Sequence, residues 1–432
     1  MIKYDVTRKL VFPFIFSFSL LTALPLTGET TGMKNESHML SEAVDSAVTK
    51  QLSPIERCRK ILLSGEFKNY QDEHNENKIT LNVCIYKAIL ENNLIKASLH
   101  NIASAKELIK KAESIRFGKF SFNIFASKYN DTIADFFGKD QAAARNITFD
   151  IPFYAGGSIK SARNQAMLVS SISRFESERI KQEVAFQTIA AYLKLLLAQG
   201  KIAVGNRYLQ QTNLQLDLVQ SKISAGTAVK SDKFRIDVAR NQAKINLISA
   251  ENEKNRVSSL LNLIMAGDLQ RKLTAVTPKD LSTEKESVTR GSKRALIKRP
   301  ELLAARLALK LLKEELVVAK SKLKPSIGLN AVYGDINPTF AGDEDSTQLT
   351  LGARFPLFEG GGMRAHIHKV QNDIKEEKEK LRFFEQKILF EVTEAHISMT
   401  EAKEQMSIAV DNVVRQKKTP EYLKSDTSLV QP

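Results

Sequence analysis

The chain has 432 residues, of which 64 are lysine or arginine and 49 are aspartate or glutamate, so its net charge is +15 at pH 7. Such an excess would ordinarily suggest a nucleic-acid partner, but the basic residues are spread among many glutamates without a basic block, which argues against nucleic acid. Contact with anionic lipid stays open. The length could hold two or three ordinary domains.

Residues 1–28 have the order of a secretory signal peptide. Three basic residues precede an apolar run that begins at Leu10, and Pro25 and Gly28 close that run. The alternative is an uncleaved membrane anchor, although the run is shorter than the ~20 apolar residues that a spanning helix needs. No other stretch comes close to a spanning helix, so membrane insertion would require strands.

Residues 29–78 are polar and are interpreted as an extension that packs weakly. The two cysteines of the chain are Cys58 and Cys84. In an exported protein such a pair suggests one disulfide, and the alternative is two free buried thiols.

The chain contains an internal repeat. Residues 151–157 (IPFYAGG) return as residues 355–361 (FPLFEGG), an offset of 204 (355 minus 151), and Asn123 aligns with Asn330 at an offset of 207 (330 minus 123). The difference predicts one change of loop length between strands. Since proline ends a strand and glycine permits a sharp change of direction, each copy predicts a strand-to-helix turn, with the turn residues Pro152, Gly156, Gly157, Pro356, Gly360 and Gly361.

Each repeat predicts a leading helix and then two strands. The helices are expected at residues 79–116 and 292–322, and the strand pairs at 117–153 and 323–358. Apolar and polar residues alternate over about ten positions per strand, which is typical of transmembrane barrel strands. The alternative, a soluble hairpin on a helical core, is disfavoured because the pair occurs twice. The water-filled side is then expected to carry Asn146, Thr148, Asp150, Gln348, Thr350 and Arg354.

Long heptad-patterned helices follow each strand pair. Residues 154–267 predict an antiparallel helical hairpin with its tip near Gly226, because apolar residues recur in a 3.5-residue period from Ala191 to Ile223. Residues 268–291 are interpreted as a connector. A second long helix is expected over 359–418, then a tail over 419–432. Its tip would fall near residue 430 (226 plus 204), so the returning helix is expected to be missing.

No catalytic, cofactor or metal site is predicted. His366 and His368 are two residues apart at a helix start, so they point to different faces. The run Gly360-Gly361-Gly362 lacks the lysine and hydroxyl residue of a phosphate-binding loop.

Several of these motifs together resemble the TolC family of outer membrane efflux proteins over residues 79–418. They are the double turn, TLNVCIYKA at Thr80–Ala88, RPEL at Arg299–Leu302 and GTAVKSD at Gly226–Asp232. The resemblance implies a mainly α fold with a transmembrane β portion, in which long antiparallel coiled-coil hairpins join four strands per chain. In a homotrimer these strands would form a 12-stranded barrel in the outer membrane, and the helices would extend into the periplasm.

The resemblance also implies partners. The tip residues would contact a periplasmic adaptor, and an inner-membrane efflux pump or secretion transporter would supply the energy to a passive, non-enzymatic duct. These tip residues are Gly226, Thr227, Ser231 and Asp232. The absent returning helix departs from the family pattern, as does Gly118 where the second repeat has Pro325. The alternatives are a periplasmic coiled-coil adaptor-like protein without a pore, a truncated non-functional channel copy, and a hydrolase of the cell envelope.

Overall fold

Helices and strands follow the chain in two matching series, seen in a computed structural model that describes residues 78–128, 141–278, 286–334 and 346–426. The first series is β1 (Lys78–Ile79), α1 (Leu81–Glu91), α2 (Asn93–Ser114), β2 (Lys119–Lys128), β3 (Gln141–Ala155), α3 (Ser158–Ser224) and α4 (Lys230–Ile264). After β4 (Thr274–Ala275), the second series is α5 (Val288–Lys298), α6 (Pro300–Ser321), β5 (Ser326–Gly334), β6 (Ser346–Arg354) and α7 (Gly362–Asp426).

The described chain forms two compact units. The first contains residues 108–165 and 313–371, and therefore all of the sheet β2-β3-β5-β6. The second contains residues 78–107, 166–312 and 372–426, and is helical apart from β1 and β4. None of the described helices is both long and apolar enough to cross a membrane.

The strand register confirms the internal repeat. Asn123 is paired with Asn146 between β2 and β3. In the second repeat, the residue equivalent to Asn123 is Asn330 (123 plus 207) and the residue equivalent to Asn146 is Thr350 (146 plus 204). These two residues are also paired, between β5 and β6. The two hairpins are therefore built on one plan. The three-residue difference (207 minus 204) lies between the strands of each pair, as predicted.

Gly118 differs from its equivalent Pro325 for a steric reason. Its φ of 78° lies in the left-handed region, and a Cβ atom there would lie 2.6 Å from the carbonyl oxygen of Asp150. Proline holds φ near −65°, so it could not take this place. The departure reflects a tight approach of the chain to β3.

Asn92 explains why the predicted leading helix is two helices. Its Oδ1 accepts hydrogen bonds from the backbone N–H groups of Leu94 (2.9 Å) and Ile95 (3.4 Å), which caps α2. Its Nδ2 donates to the carbonyl oxygen of Ile264 at 2.8 Å, at the end of α4. The side chain is buried, and both its oxygen and its nitrogen have hydrogen-bond partners, as buried polar groups require.

Replacing Asn92 by alanine should lower the free energy of unfolding by about 2–4 kcal/mol, because a cap worth ~1 kcal/mol is lost and a buried carbonyl is left unpaired. Asn92→Ser keeps the cap and should lose less. Asn93→Ala, one position along and exposed, is the matched control and should be near neutral. Denaturant unfolding of the purified protein measures all three, and equal losses for alanine and serine would contradict the role of Nδ2.

The hairpin of α3 and α4 buries the predicted heptad positions. Ala191, Leu195, Ala198 and Thr212 are buried, and the remaining predicted positions to Ile223 are half-buried. Gly205 lies against Leu247 of α4, where an added Cβ would be 3.4 Å from Leu247 Cδ1. Val229 is 62% exposed because it precedes the first turn of α4.

The connector contains a short strand that the sequence pattern did not reveal. β4 pairs in parallel with β1, where Ile79 is opposite Ala275. Gln199 of α3 binds both backbone groups of Ala275: Oε1 accepts from its N–H at 2.7 Å and Nε2 donates to its carbonyl at 3.1 Å. The hydroxyl of Tyr192, a fully buried residue, lies 3.1 Å from the carbonyl oxygen of Ile79.

These strands close the core of the second unit. Its buried cluster combines side chains from α1, α2, α3, α4 and both short strands, namely Ile79, Cys84, Ala88, Ile95, Val184, Ala191, Tyr192, Leu195, Val257, Leu261, Ile264, Met265, Leu273 and Ala275. Two-residue strands are too short to produce an alternating pattern, which is why the sequence predicted only a connector.

Helix α7 begins as predicted and runs further. Its buried side chains are Ile367, Val370, Ile374 and Ile388. The helix ends at Asp426 rather than near Thr419-Pro420. Pro420 removes one hydrogen bond, but the residues around it are mostly good helix formers, so the predicted tail is wrong for its first residues. From 400 to 415 all described side chains of α7 are exposed.

Candidate functional site: a two-faced sheet, its turns and the helix tip

One face of the sheet carries polar residues in cross-strand rows. Asp150 is paired with Asn330, and Asn330 with Thr350. Asn330 Nδ2 donates to Asp150 Oδ1 at 2.7 Å, and Asn123 Nδ2 donates to Asn146 Oδ1 at 2.9 Å. By register, all six residues expected on the water-filled side lie on this polar face, together with Ser121, Asn123 and Asn330.

Asn123 and Asn330 were not among the residues predicted for the water-filled side. The signal that could have found them was present, because the two asparagines align at the same place in both repeats. Their amides link neighbouring strands in the sheet. The polar face therefore contains two cross-strand side-chain hydrogen bonds, one between β2 and β3 and one between β3 and β5.

The opposite face is apolar and exposed. Ile124 is 71% exposed and Leu349 is 69% exposed. Phe120 and Phe149 stack across β2 and β3 with ring centroids 4.2 Å apart. The apolar face comprises Phe120, Phe122, Ile124, Ile147, Phe149, Ile151, Leu329, Tyr333, Leu349 and Leu351. So much apolar surface on the outside of a strand layer calls for an apolar surrounding such as lipid.

The two strand-to-helix turns share a backbone path. Gly156, Gly157, Gly360 and Gly361 all have positive φ, between 57° and 97°. In the first turn Pro152 is buried at a β-bulge, where the pairing of β3 with β5 shifts between Pro152 and Tyr154. This bulge lets the chain leave the sheet and enter α3.

The surroundings of the two turns differ. A Cβ added at Gly156 would lie 2.6 Å from the carbonyl oxygen of Ser321, whereas nothing lies within 4 Å of a Cβ added at Gly360 or Gly361. After the half-buried Pro356, Leu357 is 93% exposed and Phe358 is 86% exposed. The first turn is packed by its own chain, and the second turn is open.

The helix tip is an exposed, well-defined turn. Gly226 has a φ of 72°, and the N–H of Thr227 donates to the carbonyl of Lys222 at 2.9 Å, which together end α3 in a Schellman motif. Asp232 Oδ2 accepts from the N–H of Val229 at 3.4 Å and so supports the start of α4. Gly226, Thr227 and Ser231 are exposed and Asp232 is half-buried, so the four predicted tip residues share one accessible loop.

Cys84 lies in the core of the second unit and is fully buried. Burial raises the pKa of its thiol to about 12, and this effect outweighs the nearby charge of Lys87. The thiol is therefore protonated and unreactive at neutral pH. Cys58 lies outside the described residues, so the disulfide stays a prediction. Among the described residues no group of histidine, cysteine and carboxylate side chains has the arrangement of a metal site.

Gly156 and Gly157 offer a matched test of the turn. Gly156→Ala should strongly lower the heat stability of the protein, because the new methyl group would collide with the Ser321 carbonyl in addition to the ~1–2 kcal/mol cost of a left-handed alanine. Gly157→Ala should lose only the stability that a left-handed alanine costs, since nothing lies within 4 Å of its new methyl group. Thermal unfolding compares the variants, and equal effects would contradict the close packing of the first turn.

Comparison with known proteins places this geometry in a family. A family model described as outer membrane efflux protein matches residues 84–266 and 291–424. The outer membrane efflux protein BepC of Brucella suis is 21% identical over 373 residues, which cover 83% of this chain and 79% of BepC.

Solved structures show the same fold. A membrane protein from Pseudomonas aeruginosa matches with a TM-score of 0.67 at 16% identity, covering 81% of this chain and 83% of that protein. The CusC channel matches with a TM-score of 0.67 at 14% identity, covering 80% of this chain and 81% of CusC. The family and the fold class predicted from the sequence motifs are thereby confirmed. The chain belongs to the outer membrane efflux protein family, and its location is the outer membrane.

Proposed function

We propose that the protein is the outer membrane channel subunit of a tripartite efflux or type I secretion system. The observation that carries this proposal is the two-faced sheet. Its strands are 9–15 residues long, and a transmembrane strand needs about 9–11 residues. The apolar face would meet lipid, and the polar face would line the water-filled duct.

The sheet needs further copies of the chain to form a pore. Its order puts β2 and β6 at the two ends, and the smallest outer membrane barrels have about eight strands. An unpaired strand edge in lipid leaves backbone N–H and C=O groups without partners, at several kcal/mol each. The family resemblance implies three copies, which would supply 12 strands (three times four), so the proposed functional unit is a homotrimer.

The protein is not an enzyme in this proposal, and it needs no cofactor. On the polar face, Asn330 donates to Asp150 and Asn123 donates to Asn146. The duct is passive, and an inner-membrane transporter supplies the energy. The exposed tip around Gly226 is the contact for the periplasmic adaptor that joins the duct to the transporter, since it presents a fixed loop on otherwise regular helices.

Cysteine substitutions at Thr350 and Leu351 test the direction of the two faces, because the residues are neighbours on β6 and lie on opposite faces. The background replaces both natural cysteines (Cys58→Ser and Cys84→Ala). In single-channel recordings, a charged water-soluble methanethiosulfonate reagent should lower the conductance of Thr350→Cys several-fold. The same reagent should leave Leu351→Cys unchanged, because that position faces lipid.

The opposite pattern, with modification at Leu351→Cys alone, would reverse the assignment of the faces. Absence of conductance from purified, trimeric, unmodified protein would contradict the channel function itself and would favour a periplasmic coiled-coil protein without a pore.

The adaptor contact is tested by a bulky charge at the tip. Thr227→Arg should abolish export by cells that depend on this protein, while single-channel conductance of the purified variant stays unchanged. Asn255→Arg, also exposed but near the other end of α4, is the matched control and should export normally. Normal export by both variants, measured as survival on a panel of toxic compounds, would exclude the tip as the adaptor contact.

A further inference from the structure

We propose a specific register for the seam between neighbouring copies, where β6 of one copy pairs with β2 of the next. In this register Arg354 lies opposite Asn123 of the partner subunit, and Glu359 lies opposite Lys119 of the partner subunit. The inference rests on the proposed function, because it presupposes that several copies close one sheet. Beyond the proposed function, it names the residues that lie opposite each other at the seam and the polar contacts between them.

The template for this seam is inside the chain. The first repeat joins the second through β3 and β5, with Asp150 paired with Asn330 and Ala155 with Ser326. Adding 204 to the β3 residues gives Arg354 and Glu359. Subtracting 207 from the β5 residues gives Asn123 and Lys119. Since the same offsets relate the two hairpins (Asn123–Asn146 and Asn330–Thr350), they convert the internal seam into the external one.

The lengths of the strands support this assignment. β3 continues through Ile151–Ala155, beyond the last residue paired with β2, and this continuation is paired with β5 alone. The equivalent residues of the second repeat are 355–359, and they are not in a strand. Phe355, Leu357 and Phe358 among them are 65–93% exposed. Pairing with β2 of the partner subunit would extend β6 over these residues, as pairing with β5 extends β3 over Ile151–Ala155.

The polar chemistry is complementary at the derived positions. In the template Asn330 is the donor and Asp150 the acceptor. Across the seam Arg354 can only donate, so its partner must accept. Asn123 uses its Nδ2 toward Asn146, and its Oδ1 is then the group that can accept from a guanidinium. Two rows further along the same face, past the bulge, the small pair Ala155–Ser326 becomes Glu359 and Lys119, two opposite charges.

The partner subunit that supplies β2 would also pack against the open second turn. Gly156 lies against the carbonyl of Ser321 within the chain. Its equivalent is Gly360 (156 plus 204), and the equivalent of Ser321 is Ser114 (321 minus 207). The carbonyl of Ser114 in the partner subunit would thus fill the space next to Gly360, where nothing of its own chain lies within 4 Å.

Disulfide cross-linking tests the register. In the background without natural cysteines, the pair Arg354→Cys with Asn123→Cys should oxidise between subunits, because directly opposed residues have Cα atoms ~4.5–5.5 Å apart. Denaturing gels should then show a ladder that ends at three chains, with most of the protein cross-linked. The template pair Asp150→Cys with Asn330→Cys is the positive control and should oxidise within one chain.

A register shifted by two residues is tested with Arg354→Cys and Ser121→Cys, on the same face of β2. This pair should cross-link at least several-fold less than the proposed pair. Stronger cross-linking of the shifted pair, or no cross-linking of the proposed pair in trimers whose positive control oxidises, would overturn the register. If the unsubstituted protein is monomeric on native gels, the trimer itself is wrong, so the two failures are distinguishable.

Discussion

A strand in lipid must have both edges paired, and much of this molecule follows from that constraint. Water cannot satisfy backbone groups inside a membrane, so each free strand edge is costly. Within the chain, the two repeats pair one edge of each hairpin with the other, because β3 and β5 share nine register pairs. This pairing leaves β2 and β6 at the ends of the sheet. In the proposed channel those two ends are joined to other copies of the chain.

The two turns show how one sequence element behaves in two settings. Both contain a proline, an aromatic residue and two glycines with positive φ. In the first turn the element is packed against residues 321–324 of its own chain. In the second turn the same backbone path has no such neighbour, so Leu357 and Phe358 are almost fully exposed. In the proposed seam, the duplicated element is completed by its own chain once and by another copy the second time.

Periodicity predicted most of the elements because the core positions follow it strictly. The heptads of α3 and α4 and the alternation of the strands both depend on apolar side chains at a fixed interval. The heptad side chains of α3 are buried or half-buried, whereas the apolar side chains of the strands form the exposed apolar face. The sequence also identified the turns, since glycine and proline have few other reasons to recur in that order. The register of the strands came from the structure, since single-strand patterns leave it undetermined.

The features that sequence reasoning missed depend on individual distant contacts. β1 and β4 are two residues each, and Gln199 and Tyr192 bind them through hydrogen bonds across 76 and 113 positions of the chain. The end of α7 was placed too early because one proline was weighed above the helix formers around it. Asn123 and Asn330 looked like ordinary polar positions until their partners were known. For the two short strands the deciding information was a partner far away in the sequence, whereas the end of α7 depended on residues next to the proline.

The duplication has a consequence for how the protein responds to dilution. In the proposed ring of three, seams within a chain alternate with seams between chains. Ala155 and Glu359 occupy equivalent positions, but the first belongs to a unimolecular folding step and the second to an association step. A change at Ala155 would alter stability at every protein concentration, whereas a change at Glu359 would matter most when the protein is scarce, since mass action governs association. Changes at two equivalent positions of one sequence would thus differ in how their effect on stability depends on protein concentration.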